Sequence, residues 1–276
     1  MADRYWRGTN STWTDTANWS TTPTGSTGSA APASTNDVYI LSGDVDIDAY
    51  DASAVDLNSL TIGGQFTGKI KGLKVAVSGT TIINCVNDVN IAPGTNNIDD
   101  LRVYSTGGAT VRLFAGAGVV TACQLASGTL VRESGCTITT MHNAGGTLID
   151  SGGTAYTTLN AKGGVTITQI GATTLNATAR VIATGASAFT TANIDRGSTF
   201  THNAYGTIGT ITVFPGGIAT TAPAGTITAG GTTVTGASQP FTVTNSTEWL
   251  GGSLFRDANA SITYSNATTR IGKTGA

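Results

Sequence analysis

The chain has 276 residues and a formal net charge of −2, with only 11% charged residues against 39% hydrophobic ones. Disorder requires few apolar residues and a high net charge, so this composition excludes a disordered chain. The 14 lysines and arginines are scattered and form no basic patch, which argues against a nucleic-acid-binding protein.

Membrane and secretory segments are also missing from the pattern. No run reaches the roughly 18 consecutive apolar residues of a membrane span. The first residues carry no apolar signal segment, so we expect synthesis and assembly in a cytosol. The three cysteines, Cys85, Cys123 and Cys136, are too few, and odd in number, for a disulfide framework. We expect Cys123 and Cys136 to be small buried fillers and not reactive thiols.

Residues 1–42 differ in composition from the rest of the chain, because they contain three of the four tryptophans in an otherwise polar segment. Residues 21–33 are rich in Thr, Ser, Gly and Pro, which predicts an extended, exposed linker or arm. Aromatic side chains are the usual anchors of protein interfaces, so one hypothesis is that this segment docks on a partner. The alternative is that it caps the end of its own chain. The candidate partner-binding residues are Tyr5, Trp6, Trp13 and Trp19.

Residues 43–100 predict short, irregular strands. Asp44-Val-Asp-Ile-Asp48 alternates charged and apolar residues, as a half-buried strand does. Its carboxylates could be calcium ligands, but the spacing does not match the EF-hand loop, so we favour a solvated strand face. The lysines that could pair with these carboxylates are Lys69, Lys71 and Lys74.

A short phrase recurs between residues 111 and 234: a small or polar residue, Ala, one or two glycines, and then a large apolar residue that opens an extended run. Its clearest copies are 125–130, 143–148, 160–165 and 176–181. The residues that open the runs are about 16 to 19 positions apart: Leu130, Leu148, Val165, Val181, Phe200, Ile218 and Val234. A fixed period without a helix pattern predicts an all-β protein, a parallel β-helix (β-solenoid) with roughly 17-residue coils. We place its shaft at residues 43–236.

Aligning the phrases predicts two contacts between neighbouring coils. Asn143, Asn160 and Asn176 precede the opening residue at the same spacing, which predicts a ladder of hydrogen-bonded amides at one corner. Arg132 and Asp150 share an offset in adjacent coils, which predicts an ion pair across one strand spacing.

The charged residues do not predict an enzyme. Glycan-cleaving chemistry needs paired carboxylates, whereas Glu133, Asp150 and Asp195 share no common offset in neighbouring coils. His142 and His202 are the only histidines, and neither belongs to a nucleophile or metal-ligand spacing. We therefore expect no catalytic residue, no metal and no cofactor.

Residues 237–276 break the period. The runs at 239–244 and 261–264 predict antiparallel strands that cap the solenoid, since solenoids carry atypical end units. Trp249, Phe255 and Tyr264 are candidates for binding a host glycan at this tip, because aromatic rings stack on sugar rings.

The opening of the chain resembles that of a set of bacteriophage virion proteins. The matching residues are Arg4-Tyr-Trp-Arg-Gly-Thr-Asn-Ser-Thr-Trp13, Asn18-Trp-Ser20, Pro32 and Asp37-Val-Tyr-Ile40. A similar Trp-Asn-Trp-Ser pattern opens repeats of some secreted bacterial β-solenoids. The resemblance covers about 40 residues. It implies a trimeric decoration (cement) protein on the phage head, or a head fibre or tail spike.

From these patterns we expect a homotrimeric, non-enzymatic virion protein on the outer surface of the phage head. It would clamp neighbouring subunits of the major capsid protein and so stabilise the shell. The first alternative is a fibre or spike that binds host surface glycan. A spike that degrades polysaccharide is a third, less favoured interpretation.

Overall fold

The chain folds as a parallel β-solenoid, as the period predicts. The computed structural model describes the backbone of residues 2–105, 108–204, 208–213, 218–221, 231–234, 240–244, 253–256 and 261–265, and side chains through residue 202 except at 106–107, together with Ile208 and Ile211. Within these ranges the only helix is a 3-10 turn, Thr16–Asn18. The chain divides into two compact units, which are described separately: unit 1 comprises residues 1–141 and 145–154, and unit 2 comprises residues 142–144 and 155–276.

Unit 1 is built from short strands joined by tight turns. They are β1 (Asp3–Trp6), β2 (Trp19–Ser20), β3 (Asp37–Gly43), β4 (Tyr50–Leu57), β5 (Ser59–Phe66), β6 (Ile70–Ile83), β7 (Val89–Tyr104), β8 (Thr110–Leu113), β9 (Val120–Ser127), β10 (Thr129–Arg132), β11 (Ile138–Asn143), whose last two residues belong to unit 2, and β12 (Thr147–Asp150).

Equivalent residues of successive coils in unit 1 stack in columns. In the column that begins at the N-terminus, Arg4 pairs with Val38, and the parallel register continues from there. The further members of this column are Leu60, Thr81, Leu101 and Cys123. All members after Arg4 are buried. Within residues 1–42, β1 and β3 therefore belong to the solenoid stack.

A second column consists of buried apolar residues followed by two charged residues. Its buried members Leu73, Ile91 and Leu113 are followed in register by Arg132 and then Asp150. Side chains at equivalent positions of stacked parallel strands point the same way, so both charged groups enter the core. The contact predicted between Arg132 and Asp150 is confirmed.

The Thr/Ser/Gly/Pro segment is exposed, as predicted, but it is tied to the strands beside it. Arg4 Nε donates to the Ala30 carbonyl at 2.9 Å, and Arg7 donates to the Pro23 carbonyl. The Ser29 amide donates to the Trp19 carbonyl at 3.1 Å. We call residues 21–30 the cap loop.

Unit 2 contains two alternating sets of parallel strands. They are β13 (Tyr156–Ala161), β14 (Val165–Thr168), β15 (Gly171–Ala177), β16 (Arg180–Gly185), β17 (Ala188–Ile194), β18 (Thr199–Ala204), β19 (Ile208–Val213), β20 (Ile218–Thr221), β21 (Gly231–Val234), β22 (Pro240–Thr244), β23 (Ser253–Arg256) and β24 (Ser261–Ser265). Each strand from β13 to β22 pairs in parallel with the second strand after it, for example β15 with β17 and β16 with β18.

The register of unit 2 differs from the predicted one by a single residue at two coils. Val181 pairs with Phe200, as predicted, but Val165 pairs with Arg180 and it is Thr166 that faces Val181. Ile218 likewise pairs with Thr199. The side-chain period of a strand is two, so this slip turns Val165 outward and buries Thr166.

The last predicted member of the series belongs to the other set of strands. Val234 pairs with Val213 in β19, not with a residue of β20.

The prediction of an antiparallel C-terminal cap is wrong for the described strands. β22 pairs with β24 in parallel, with Phe241 opposite Ile262, and β21 pairs with β23 in parallel. The strands beyond residue 237 therefore continue the solenoid pairing, although the sequence period is lost there.

Candidate functional site

The three N-terminal tryptophans form a buried cluster. Trp6, Trp13 and Trp19 are each at most 3% exposed. The Trp19 ring makes edge-to-face contacts with both others, at centroid distances of 5.2 and 4.9 Å, and its Nε1 donates to the Trp13 carbonyl at 2.6 Å. Edge-to-face packing is the favoured geometry of aromatic pairs. In this fold the tryptophans form a small core for residues 3–20, which we call the cap, and their rings pack against one another and not towards solvent.

Asn18 organises the loop beside that cluster. Its side-chain oxygen accepts from the amides of Thr9 and Asn10 at 2.8 and 2.9 Å, and its amide nitrogen donates to the Thr12 carbonyl at 2.7 Å. The Asn-Trp-Ser part of the motif therefore has a structural reason, since a buried amide must be hydrogen-bonded. Tyr5, the fourth predicted partner residue, is half-buried and stacks on Tyr39 at 4.8 Å.

The asparagine ladder is present with different members. Asn176 Nδ2 donates to Asn160 Oδ1, and Asn193 Nδ2 donates to Asn176 Oδ1, both at 2.9 Å. Asn160 Nδ2 lies 3.0 Å from Nδ1 of His142, which holds the position predicted for Asn143.

Asn143 itself turns into the core. Its Nδ2 donates to the Val165 carbonyl at 3.1 Å and to Thr166 Oγ1 at 3.0 Å. Asn143 leaves the predicted ladder for the same reason that the register slips. The inward residue of the next phrase is Thr166, and its hydroxyl oxygen accepts the hydrogen bond from Asn143.

The carboxylates considered for catalysis are engaged in other contacts. Asp150 is fully buried against Arg132, whose Nε and Nη2 both lie 2.9 Å from Asp150 Oδ1. Glu133 lies 3.7 Å from Arg112 on the surface. Asp195 is exposed and accepts from the Arg196 amide. Among the described residues no group of three or more His, Cys, Asp or Glu side chains is placed to hold a metal ion.

All three cysteines are buried and free, and the predicted burial of Cys123 and Cys136 is confirmed. Burial raises the pKa of the Cys85 and Cys136 thiols to about 11, and that of Cys123 further still. A thiol with a raised pKa contains little thiolate at neutral pH and is a poor nucleophile.

One histidine of unit 2 lies in the core. His202 is fully buried beside Phe189 and Phe200, with ring centroids 6.1 and 5.9 Å away. Its Nε2 lies 3.2 Å from the Ser187 carbonyl oxygen, and its Nδ1 has no hydrogen-bond partner within the described residues. Burial lowers the pKa of His202, so the imidazole is neutral when the chain is folded.

Acidification is therefore expected to destabilise the fold through His202. The unfolded chain binds a proton below about pH 6.5 that the folded chain excludes, so stability is lost as pH falls below that value, by at most about 1.4 kcal/mol per pH unit. Urea midpoints at pH 7.5 and 5.5 measure this loss, and His202→Leu should abolish most of it. His142→Gln is the matched control, because His142 is only half-buried. An equal loss in the His202 variant would contradict the assignment.

A groove on the flank of unit 1 is a feature that the sequence did not predict. It has a volume of about 570 Å³. We call it the flank groove, and its main lining residues are Tyr50, Gly72, Lys74, Arg112, Phe114 and Glu133. The groove lies where β6 has one residue more than β7: Ile70 pairs with Val89, but Leu73 pairs with Ile91. Such a bulge re-aims side chains locally.

Ion pairs lie along this groove, and of the three lysines expected to pair with the carboxylates of residues 44–48, Lys71 does so. Lys71 Nζ is 2.8 Å from Asp48 and 3.4 Å from Asp46, and Lys74 Nζ is 3.5 Å from Asp51. The hydrogen bonds from Lys71 and Ser11 hold the pKa of Asp48 below its ordinary value. The alternation of carboxylates at residues 44–48 was therefore a usable signal for lysine partners one coil away. The position of Phe114 was not signalled by any pattern.

The predicted glycan-binding residues lie near the C-terminus, where only short strands are described. Phe255 is in β23 and Tyr264 in β24, opposite Thr233 and Val243 respectively. Trp249 lies outside the described residues.

Comparison of the chain with protein-family models, with curated proteins and with solved structures gave no significant match. None of the helices among the described residues has the length and apolar character needed to cross a membrane.

Proposed function

We propose that the chain is a structural, non-catalytic component of a bacteriophage particle. In this proposal it is a decoration protein that forms trimers on the head and clamps neighbouring subunits of the major capsid protein. The observation that carries the proposal is the in-register column from Arg4 to Cys123, which joins the virion-like N-terminal motif to the solenoid as one stack of strands. Stacked parallel coils resist bending and suit a clamp.

The contact with the shell is assigned to the cap loop and not to the tryptophans. Residues 21–30 are mostly exposed, and hydrogen bonds from Arg4, Arg7 and the Ser29 amide fix the loop on the cap. A loop held in place loses little conformational entropy when it binds, which favours affinity. The resemblance to virion proteins lies in the residues that build this cap.

Occupancy on particles tests this function. The chain is mixed with heads from which it has been deleted genetically, and bound copies per major capsid protein are measured by gel densitometry. We expect a fixed ratio of bound copies to major capsid protein, set by the shell lattice. We also expect the heads to release DNA at a higher temperature when the chain is bound, because a ligand that binds only the intact shell stabilises it. Replacing residues 21–30 by a Gly-Ser linker should reduce occupancy, while Lys162→Ala in unit 2 should not.

A few copies per particle, or attachment to tails, would instead favour the second candidate, a fibre or spike that binds host glycan. Its support is the continuation of parallel pairing to β24, which places Phe255 and Tyr264 on the last two described strands. Trp249 completes the set of residues proposed for that role.

A further inference from the structure

The flank groove of unit 1 has two aromatic walls. Tyr50 and Phe114 line it and are both half-buried, so part of each side chain is accessible from the groove. Tyr50 is held by Trp13, whose ring stacks on it at a centroid distance of 6.3 Å and an interplanar angle of 17°. A ring that is fixed before binding gives contact area at a low entropic cost.

The floor between these walls is open because residue 72 is glycine. A Cβ at Gly72 would lie 3.4 Å from the Ala49 Cβ and 3.8 Å from Phe114 Cζ, which are ordinary contacts. Gly72 has no positive φ that would forbid a side chain. A larger side chain could therefore stand here, and it would occupy the space beneath Phe114.

Charges around the groove nearly cancel, because three cations face four carboxylates and the net charge is −1. Lys71, Lys74 and Arg112 contribute three positive charges, and each has a carboxylate within 3.7 Å: Asp46, Asp48, Asp51 and Glu133. Nearly balanced charges create no strong field that would attract a polyanion or a polycation. They do supply hydrogen-bond donors and acceptors side by side along the walls.

We propose that the flank groove binds a neutral oligosaccharide. A pyranose ring has an apolar C–H face that packs on an aromatic ring, and hydroxyl groups at its edge that both donate and accept hydrogen bonds. The groove offers the matching surfaces: two partly exposed rings and alternating ammonium, guanidinium and carboxylate groups. Its volume of about 570 Å³ lies in the range of small-molecule sites. Five stacked coils, from Tyr50 to Glu133, give it a length of about 19 Å at the spacing of β-strands.

The proposal does not depend on the role of the chain in a particle. The flank groove lies in unit 1 and shares no residue with the cap loop or with the predicted tip residues. An acidic polysaccharide would need an excess of cations, and an acidic peptide would need the same. Binding of either polymer is an outcome that the experiment below distinguishes.

Affinity electrophoresis in native gels tests the proposal. The full chain is run through gels that contain dextran, galactomannan or glucomannan, and through gels that contain polygalacturonate or polyglutamate. We expect retardation by at least one of the neutral polymers. Phe114→Ala and Gly72→Gln should each weaken that retardation by about tenfold or more, the effect of losing roughly 1.4 kcal/mol of contact.

The controls separate binding from folding. Tyr104→Ala removes a half-buried aromatic ring of β7 outside the groove and should leave retardation unchanged. Gly72→Gln deletes no contact, so it remains informative if Phe114→Ala lowers stability, which thermal melts will show. Retardation by the acidic polymers alone would overturn the proposal. So would retardation by none of the neutral polymers, or retardation that neither groove variant changes.

Discussion

Replacing Asp150 with alanine is expected to lower the free energy of unfolding by about 3–5 kcal/mol, because it leaves the Arg132 guanidinium charged and buried without its counterion. Both side chains are fully buried. Arg132 Nη1 also donates to the Thr154 carbonyl at 2.9 Å, and Asp150 Oδ1 accepts from the Gly152 amide at 3.1 Å. The pair therefore holds the turn after β12 in place, and it also ends the buried column of Leu73, Ile91 and Leu113. Chemical denaturation followed by circular dichroism measures the effect.

An exposed ion pair of the same unit is the matched control. Arg102 Nη2 lies 2.7 Å from Asp100, and these side chains are 44% and 34% exposed. Water already solvates both groups, so Asp100→Ala should cost less than about 1 kcal/mol. A double Arg132→Leu, Asp150→Leu variant should recover much of the loss, since the column above is leucine and isoleucine. Equal losses for Asp150→Ala and Asp100→Ala would contradict this account.

Replacing Trp19 with alanine is expected to cost a similar amount, about 3–5 kcal/mol, the range measured when a buried aromatic side chain is truncated. Trp19 is fully buried, contacts the rings of Trp6 and Trp13, and uses its Nε1 in a hydrogen bond. The loss should be concentrated in the cap, because a solenoid coil contacts mainly its neighbours. Limited proteolysis should then cut the cap loop much faster than in the unaltered chain.

Tyr5→Ala provides the comparison for that experiment. Tyr5 stacks on Tyr39 at the surface and is half-buried, so removing it should cost only about 0.5–1.5 kcal/mol. If Trp19→Ala left both unfolding and cleavage of residues 21–30 as they are for Tyr5→Ala, the tryptophans would not be the core of the cap.

The sequence was sufficient for the class of fold and for one long-range contact. Glycine-punctuated phrases at a fixed period predicted stacked coils, and the shared offset of Arg132 and Asp150 predicted their ion pair. Both inferences use spacing along the chain, because residues one period apart lie next to each other in stacked coils.

The register could not be obtained in the same way. The alignment assumed that the first large apolar residue of each phrase faces inward, yet Thr166 is buried in place of Val165. A buried hydroxyl is acceptable there because Asn143 donates to it. The hydrogen bond between Asn143 and Thr166 thus takes the place of a buried Val165 side chain. The hydrophobic period of the sequence does not reveal this replacement, which also removes Asn143 from the predicted ladder.

The sequence also could not decide the direction of the C-terminal strands or whether the N-terminal tryptophans are buried. The composition of the segments 240–244 and 261–265 is compatible with either direction, and only the pairing of β22 with β24 in the fold shows that they are parallel. A tryptophan-rich polar segment can be an interface or a small core. Here it is a small core, because the hydrogen bonds of Asn18 to three backbone groups of residues 9–12 hold that loop beside the tryptophan rings.

The pairing of the first strand has a consequence for self-association. Tyr5 and Trp6 of β1 lie against Ser20 and Trp19 of β2 in antiparallel register, while the other edge of β1 pairs with β3. Open β edges recruit strands from other molecules and seed fibrils. With hydrogen bonds on both sides, β1 cannot accept a strand from another molecule, and the two-residue strand β2 leaves only a short edge beyond it.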